Sequence, residues 1–401
     1  MADRGVPVVM YHSVGPLLTD WAANYLTTPV EAFEDQMQAL ADEGWTAIPL
    51  RRLYEHMAEG ADLPPKPVVL TFDDGYLDNW VYMYPIIKKF GHSAVIWMTT
   101  DFVDPPAEAR PTLEDVWEGK VEAGDLCGHG YLSWEEMRTM TMSGLVEIQS
   151  HATTHTWYPK GPCVLDFHRP SGVDGYAAPP WLAWNLFPQR KYESLTGHLE
   201  DVVPYGTPIY ENGKSLETHR YFDDPALTRL LVETVEQGGG AAFFGRKGWK
   251  DDLYRAVAGY GDRKDRFESD AEYESRVRFE LAESKRLIEA NVGAPVDFLC
   301  WPGGARNRTT MRISSDVGYV ATTTHYEDPD RRNTRGQNPA EINRIGCASP
   351  WVWGGRVIIR RTEPAFFIEA LEIFAGCRKS LWTLRRHKLK YLLRHYLTGK
   401  T

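Results

Sequence analysis

Five short apolar runs, each followed at once by polar or glycine residues, constrain the fold of this 401-residue chain most strongly. The runs are Pro7–Tyr11, Val68–Phe72, Ala94–Met98, Leu145–Ser150 and Phe298–Trp301. Short continuous apolar runs are typical of parallel strands that are buried on both faces. Segments with helical periodicity lie between them, and this alternation predicts an α/β fold with a parallel sheet.

The helical segments have recognisable beginnings and ends. Helices are predicted at Pro29–Glu43, Asp78–Phe90, Trp134–Met142, Pro225–Glu236 and Glu272–Asn291. Ser133 is the expected N-cap of the third helix, with Glu136 completing a capping box, and Asp224 is the expected N-cap of the fourth. The remaining part of 156–266 is rich in Pro, Gly, Trp and Tyr and shows no regular period.

Charge and cysteine usage exclude several classes of protein. The net charge is −10, and eight Lys/Arg without an acidic residue follow Glu372, so the preceding body carries about −18. An acidic body argues against broad nucleic-acid binding. The five cysteines are scattered without a CxxC pair, which argues against a disulfide scaffold and a zinc-thiolate site.

No apolar run reaches the roughly 18 residues of a membrane span, and the N-terminus has no apolar signal core, so we expect a cytoplasmic protein.

The polar residues that follow the apolar runs are candidates for chemistry. Asp73 and Asp74 come directly after the second run, and Gly75 gives the chain freedom to turn there. Adjacent carboxylates repel one another, so the pKa of one rises unless a cation or hydrogen bonds intervene. The pair suits a metal ligand beside a general base. The competing interpretation is an acidic turn before a helix.

His151 and His155 follow the fourth run at a spacing that suits one metal ion. On a helical turn, residues four apart point to one side. With Asp74 they make a set of two histidines and one carboxylate, which leaves coordination positions open for water and substrate. We predict a divalent metal there, Zn²⁺ first and Co²⁺, Ni²⁺ or Fe²⁺ as alternatives. Zn²⁺ would lower the pKa of bound water towards roughly 7.

Taken together, these motifs resemble a known family. Thr71-Phe-Asp-Asp-Gly-Tyr76 and His151-x-x-x-His155 are similar to the first two motifs of carbohydrate esterase family 4, the NodB-type polysaccharide deacetylases. Glu283–Gly304 resembles the approach to the third motif. Val6–His12 resembles the opening of the permuted poly-N-acetylglucosamine deacetylase branch. The resemblance covers roughly residues 6–155 and 270–347.

The resemblance implies a deformed (β/α) barrel and metal-dependent removal of an N-acyl group from an amino sugar. It assigns Asp73 as general base, His12 as general acid and a backbone N–H, here Gly303, as the oxyanion donor. Asp74, His151 and His155 correspond to the metal ligands. For His12 the alternative is a hydrogen-bonded core histidine.

Two departures from the family pattern concern the third motif. Many members have an arginine that orients the base where this chain has Cys300, which we interpret as a packed strand residue. Arg344 resembles an Arg-Ile motif of the permuted branch and is a candidate for that role, the alternative being a surface arginine. Gly303-Gly304 replaces the usual tyrosine, so the site near the acyl group is expected to be roomier.

Aromatic residues are candidates for contact with a sugar. We predict that Trp301 and Tyr76 contact the substrate. Five further tryptophans could stack on sugar rings: Trp157, Trp181, Trp184, Trp351 and Trp353. For any single tryptophan, core packing is the competing interpretation.

The predicted organisation has three parts. The barrel domain comprises 1–155 and 267–363, an insertion of 156–266 packs over the barrel mouth or forms an excursion far from it, and 364–401 forms a basic helical tail. Residues 377–397 mix basic and apolar side chains at helical spacing. Such a helix either lies on an anionic membrane at its cytoplasmic face or packs on the body or a second subunit.

Three functions are compatible with these features. The first is deacylation of an amino-sugar glycan or lipid-linked saccharide, the second is hydrolysis of a small non-sugar C–N bond on the same fold, and the third is a silent carbohydrate-binding module. A base and an acid beside the metal ligands favour an enzyme, because binding alone needs neither.

Overall fold

The computed structural model describes residues 4–17, 24–197, 199–324, 332–346, 351–353, 356–359 and 363–377, without the side chains of 200, 351–353 and 356–359. The chain divides into two compact units. The first comprises Met1–Ala152, Ser284–Gly304 and Gly318–Thr401, and the second comprises Thr153–Glu283 and Ala305–Val317. The predicted domain bounds at 155 and 267, and the placement of 156–266 at the barrel mouth, remain predictions.

The described strands are short. In chain order they are β1 Val8–Tyr11, β2 Ser13–Val14, β3 Thr27–Thr28, β4 Thr46–Ala47, β5 Pro67–Asp74, β6 Ala94–Met98, β7 Val146–Ser150, β8 Trp157–Phe167, β9 Pro208–Lys214, β10 Tyr221–Phe222, β11 Arg266–Phe267, β12 Phe298–Leu299, β13 Ala321–Thr323, β14 Glu341–Ile342, β15 Trp351–Trp353 and β16 Arg356–Ile359. All five strands predicted in the sequence are present, and the predicted 298–301 strand ends two residues early.

The first unit is built on a parallel barrel. Its strands pair in the order β1-β5-β6-β7-β12-β13-β14, with β4 alongside β5, and every one of these pairings is parallel. Beyond β14, Ile345 accepts from the Met10 N–H at 2.9 Å and donates to the Val8 carbonyl at 2.8 Å. Because β1 is the first strand of the order, these bonds close the ring. The predicted deformed α/β barrel is confirmed.

The described α-helices include the five that were predicted. They are α1 Val30–Asp42, α2 Leu50–Glu59, α3 Tyr84–Phe90, α4 Leu113–Trp117, α5 Trp134–Met142, α6 Pro180–Leu186, α7 Pro225–Gln237, α8 Trp249–Gly259, α9 Asp270–Val292, α10 Arg308–Val317 and α11 Pro364–Phe374. The capping box of Ser133 and Glu136 is present, and Asp224 caps α7 through the Ala226 N–H. The predicted 78–90 helix begins instead with a π-helical turn, Asn79–Met83, before α3.

The core of the first unit explains why the apolar runs form strands. β5 is buried along its whole length, as expected for a strand covered on both faces. One apolar cluster takes Val8, Val69, Val95 and Phe298 from four barrel strands and packs them with α2 residues such as Leu53. Side chains alternate across a strand, so Asp73 shares the face of Val69. The barrel core therefore supports the segment that carries the carboxylates.

The second unit has its own core. The antiparallel strands β8 and β9 pair with register shifts around Val164, in a segment where the sequence predicted irregular structure. Phe167, Leu227, Leu231, Phe244 and Trp249 form its apolar cluster with neighbouring residues. The cluster joins the end of β8 to α7 and α8, so this part of the chain is an organised α/β unit.

The structure bears on the predictions about membrane spans, the basic tail and the cysteines only within the described residues. No helix in the described ranges is both long and apolar enough to cross a bilayer. Most of the predicted basic tail, 378–401, lies outside the described residues, and so do the side chains of Trp351 and Trp353. Cys127, Cys163 and Cys300 are free thiols.

Candidate active site

The two adjacent carboxylates lie where β5 ends. Asp74 has a positive φ of 73° and Gly75 follows with a φ of 77°. A left-handed conformation is costly for a non-glycine residue, and such strain clusters at functional sites. A Cβ at position 75 would also overlap the Met98 sulfur. The tight turn directs the two carboxylates to different partners.

Arg344 holds Asp73 by a two-pronged ion pair. Its Nη1 donates to Asp73 Oδ1 at 2.6 Å and its Nη2 to Oδ2 at 3.0 Å. Both residues are buried, at 7% and 3% exposure, so Arg344 is not a surface arginine. Burial by itself would raise the pKa of Asp73, but the Arg344 guanidinium and the His12 ring lower it below its usual value. Asp73 is therefore ionised at neutral pH.

Further contacts fix the guanidinium in place. Arg344 Nη1 donates to Thr71 Oγ1 at 3.3 Å, and Nη2 lies 3.0 Å from the Cys300 sulfur. The Cys300 sulfur is also 3.7 Å from Asp73 Oδ2. Cys300 is fully buried and belongs to the barrel core. A compact thiol at this position leaves room for the Arg344 guanidinium.

His151 faces Asp74 with its Nε2 nitrogen. Its Nδ1 lies 2.8 Å from the Cys300 carbonyl, which can only accept, so Nδ1 carries a proton. Nε2 lies 3.4 Å from Asp74 Oδ1. Burial would lower the pKa of His151, but Cys300 and Asp74 outweigh it and raise the pKa well above its ordinary value. Without a metal a proton therefore lies between Nε2 and Asp74, and a metal ion bound by these two groups would replace that proton.

His155 lies on a loop, so the predicted helical turn for this motif is wrong. The segment after β7 is irregular, with positive φ at Ala152, 60°, and at His155, 39°. One ring nitrogen each from His151 and His155 and a carboxylate oxygen of Asp74 nevertheless lie within 4.8 Å of one another. This donor set of two imidazoles and one carboxylate suits Zn²⁺ and other divalent first-row metals. The three predicted ligands therefore fit a metal ion.

His12 lies directly after β1, opposite Asp73. Its Nε2 is 3.9 Å from Asp73 Oδ2, and its side chain is 16% exposed. Its backbone carbonyl accepts from Asn79 Nδ2 at 2.9 Å. Asn79 also donates to Asp78 Oδ1 at 2.9 Å, and Asp78 accepts from Ser13, the residue after His12. The segment that carries His12 is thus tied to the helix that follows the carboxylates.

Asp78 and Asn79 were not singled out in the sequence. Both are buried, with exposures of 6% and 0%. Burial raises the pKa of Asp78 to about 7, although its hydrogen bonds to Ser13 and Val14 oppose the shift. The available signal was two adjacent polar residues at the start of the predicted 78–90 helix.

The other predicted site residues differ in accessibility. Gly303 is exposed in a tight turn after β12, with a φ of 56°. Tyr76 is 8% exposed and stacks on Tyr131 with 5.6 Å between ring centroids. Trp301 is 2% exposed, so its ring offers no open face to a sugar in this structure. Burial therefore favours a packing role for Trp301 over substrate contact.

A protein-family model and curated relatives match the part of the chain that carries these motifs. The polysaccharide deacetylase model matches residues 60–167. A Bacillus subtilis (strain 168) protein named "Putative polysaccharide deacetylase YxkH" is 29% identical over 151 residues, 37% of this chain and 43% of its own length. The poly-beta-1,6-N-acetyl-D-glucosamine N-deacetylase of Escherichia coli (strain K12) is 29% identical over 155 residues, 38% of this chain and 21% of its own length. The chain thus spans less than half of either relative.

Solved structures show the same fold over most of the chain. The BpsB deacetylase domain from Bordetella bronchiseptica covers 86% of this chain and 97% of its own, with a TM-score of 0.50 and 20% identity. A de-N-acetylase from Aggregatibacter actinomycetemcomitans covers 85% and 94%, with a TM-score of 0.50 and 17% identity. At such identities the likeness establishes the fold alone. The family model and the motifs at the barrel strand ends together show that residues 60–167 of this chain match the polysaccharide deacetylase family.

Proposed function

We propose that this protein is a metal-dependent hydrolase that removes an N-acyl group, acetyl in the first instance, from an amino-sugar saccharide. The observation that carries the proposal is that the two carboxylates have different partners. Asp73 is held ionised by Arg344 and faces His12, while Asp74 faces His151 Nε2. A binding module needs neither a buried base nor an acid beside it.

The chain's own groups supply the proton transfers. The Asp73 carboxylate accepts a proton from the attacking water, and Arg344 keeps that carboxylate charged and in one orientation. Protonated His12 gives a proton to the nitrogen that leaves as the amine. His12 Nε2 and Asp73 Oδ2 are 3.9 Å apart, so both groups can reach the same substrate amide. The exposed N–H of Gly303 is the proposed donor to the oxyanion.

The donor set of Asp74, His151 and His155 completes the site. A divalent cation bound there, Zn²⁺ being our first choice, would lower the pKa of a water and polarise the amide carbonyl. The Nδ1–H bond of His151 to the Cys300 carbonyl orients the ring for that role.

The substrate is proposed from the relatives' names and the chemistry of the site. One curated relative is named for poly-beta-1,6-N-acetyl-D-glucosamine. We propose an N-acetylated saccharide of this kind, polymeric or lipid-linked. A cytoplasmic location with contact at the inner membrane face through 377–397 is part of the same proposal, and it rests on the composition of that segment.

Acetate release tests this function directly. The purified chain should release acetate from oligosaccharides of N-acetylglucosamine, and chelation should lower the rate at least tenfold, because the donor set then lacks the cation it fits. Added Zn²⁺ should restore the rate. An N-acetylated amine without a sugar serves as the control substrate. Equal rates on both substrates would favour the small-amide alternative, and no release from either would refute the proposal.

Asn79→Ala tests how His12 is positioned. The substitution removes the donor to the His12 carbonyl and to Asp78, so the acid segment shifts, and we expect kcat to fall about tenfold. Asn291→Ala is the matched control, because it deletes an amide that donates to the Leu287 carbonyl away from the site. Similar melting temperatures with a lower kcat for Asn79→Ala alone would support positioning. Equal kcat values for the two variants would contradict it.

A further inference from the structure

The second unit contains a cavity that the proposed chemistry does not use. It measures about 370 Å³ and is lined by residues of β9, α6 and the first turns of α7. Trp181, Leu182, Leu186 and Ile209 make its wall largely apolar. This volume and lining are typical of small-molecule sites, which combine apolar walls with a few placed polar groups.

Two of the polar groups in this lining are buried without a partner. The Tyr210 hydroxyl and the Arg220 Nε have no hydrogen-bond partner among the described residues, although Tyr210 is only 6% exposed. Buried polar groups are rarely left unpaired, because each one loses its bonds to water on burial. Burial and the nearby Asp223 raise the pKa of Tyr210, so its hydroxyl stays protonated and can donate or accept. A ligand complementary to this lining therefore needs hydrogen-bonding groups.

The surrounding contacts hold these groups in fixed positions. The Arg220 guanidinium lies 4.5 Å from the Tyr158 ring centroid and 4.8 Å from that of Phe222. Trp181 is tilted against Trp157, with 5.3 Å between the ring centroids. Asp223 accepts from Thr228 at 2.7 Å. Stacked and hydrogen-bonded side chains of this kind lose little conformational entropy when a ligand binds.

We infer that this cavity binds a saccharide, as an auxiliary subsite on the second unit. A pyranose offers C–H faces that pack on Trp181 and the aliphatic wall, and hydroxyls that accept from Arg220 and exchange bonds with Tyr210. An alkyl chain would satisfy the wall and leave both polar groups unpaired. The choice of a saccharide over other polar ligands rests on the proposed function, and the subsite would hold a sugar unit other than the one that loses its acyl group.

Binding to the full-length chain tests the inference. In an Asp73→Asn background, which slows turnover, a trisaccharide of N-acetylglucosamine is titrated by calorimetry, and hydrogen exchange locates the contact. We expect slower exchange in 180–186 and 207–212. Tyr210→Phe should weaken this binding about three- to tenfold and Trp181→Ala about tenfold. Tyr254→Phe is the matched control, because its hydroxyl donates to the Leu165 carbonyl and is not part of the lining.

The outcomes separate the subsite from the catalytic proposal. The subsite is supported if the trisaccharide slows exchange in 180–186 and 207–212 and if Tyr210→Phe makes this slowing smaller. This holds even if the wild-type chain releases no acetate. Slower exchange confined to the barrel segments overturns it, even if acetate is released. Protection of 180–186 and 207–212 by decanol in place of the trisaccharide would also overturn it, because the cavity would then be an alkyl site.

Discussion

Asp73→Asn is expected to lower kcat for acetate release by roughly 10²- to 10⁴-fold, the usual range for loss of a general base. The amide cannot accept a proton from water, but it keeps nearly the same shape beside Arg344. KM should change little, because the substitution leaves the three predicted metal ligands in place. Measurement of kcat and KM, together with the metal content of the purified variant, checks each part of this expectation.

Glu268→Gln provides the matched control for that experiment. Glu268 is 6% exposed and accepts from Arg276 at 2.8 Å through each of its two oxygens, so it repeats the buried carboxylate–arginine pair in the second unit. Neutralising it should disturb stability without the large fall in kcat. An Asp73→Asn variant that keeps its metal and turns over as fast as Glu268→Gln would exclude Asp73 as the base.

The sequence predicts the parts of this site that lie next to each other in the chain. A buried apolar run followed by Asp73 and Asp74 has a local signature, since it needs only the period of a strand and the turn at Gly75. The helical interpretation of His151-x-x-x-His155 is wrong, because spacing alone does not determine the backbone angles between the two residues. Positive φ at Ala152 and His155 brings the rings together on a loop.

Local sequence patterns do not predict contacts between distant segments of the chain. Arg344 meets Asp73 across 271 residues of chain, and this meeting depends on how the barrel closes at Ile345. The β8 strand was missed for a different reason. Pro159 lies inside it, and proline normally argues against a strand interior, but the register of β8 against β9 shifts directly after Pro159.

The pairing of Arg344 with Asp73 also predicts a large effect on stability. Arg344→Met leaves the Asp73 carboxylate buried without its cation, and removing one partner of a buried pair typically costs about 3–5 kcal/mol. In the Asp73→Asn background the same substitution should lower the free energy of unfolding much less, because no charged carboxylate is then left buried without a partner. Urea unfolding of the four proteins in the double-mutant cycle measures the difference, with chelator present so that metal binding does not add to the stability.

The cycle distinguishes an ion pair from ordinary packing. If Arg344 only filled space beside Thr71 and Cys300, its replacement would cost the same in both backgrounds, and additive free energies would contradict the role proposed for it. A coupling of about 2 kcal/mol or more would show that Arg344 stabilises the charged form of Asp73. The free energy of unfolding of Arg344→Lys should lie between those of the wild type and Arg344→Met, because lysine keeps the charge but cannot donate to both oxygens in the same planar geometry. The base-orienting arginine that the family resemblance leads one to expect at Cys300 would then have its counterpart in Arg344, whose Nη2 lies 3.0 Å from the Cys300 sulfur.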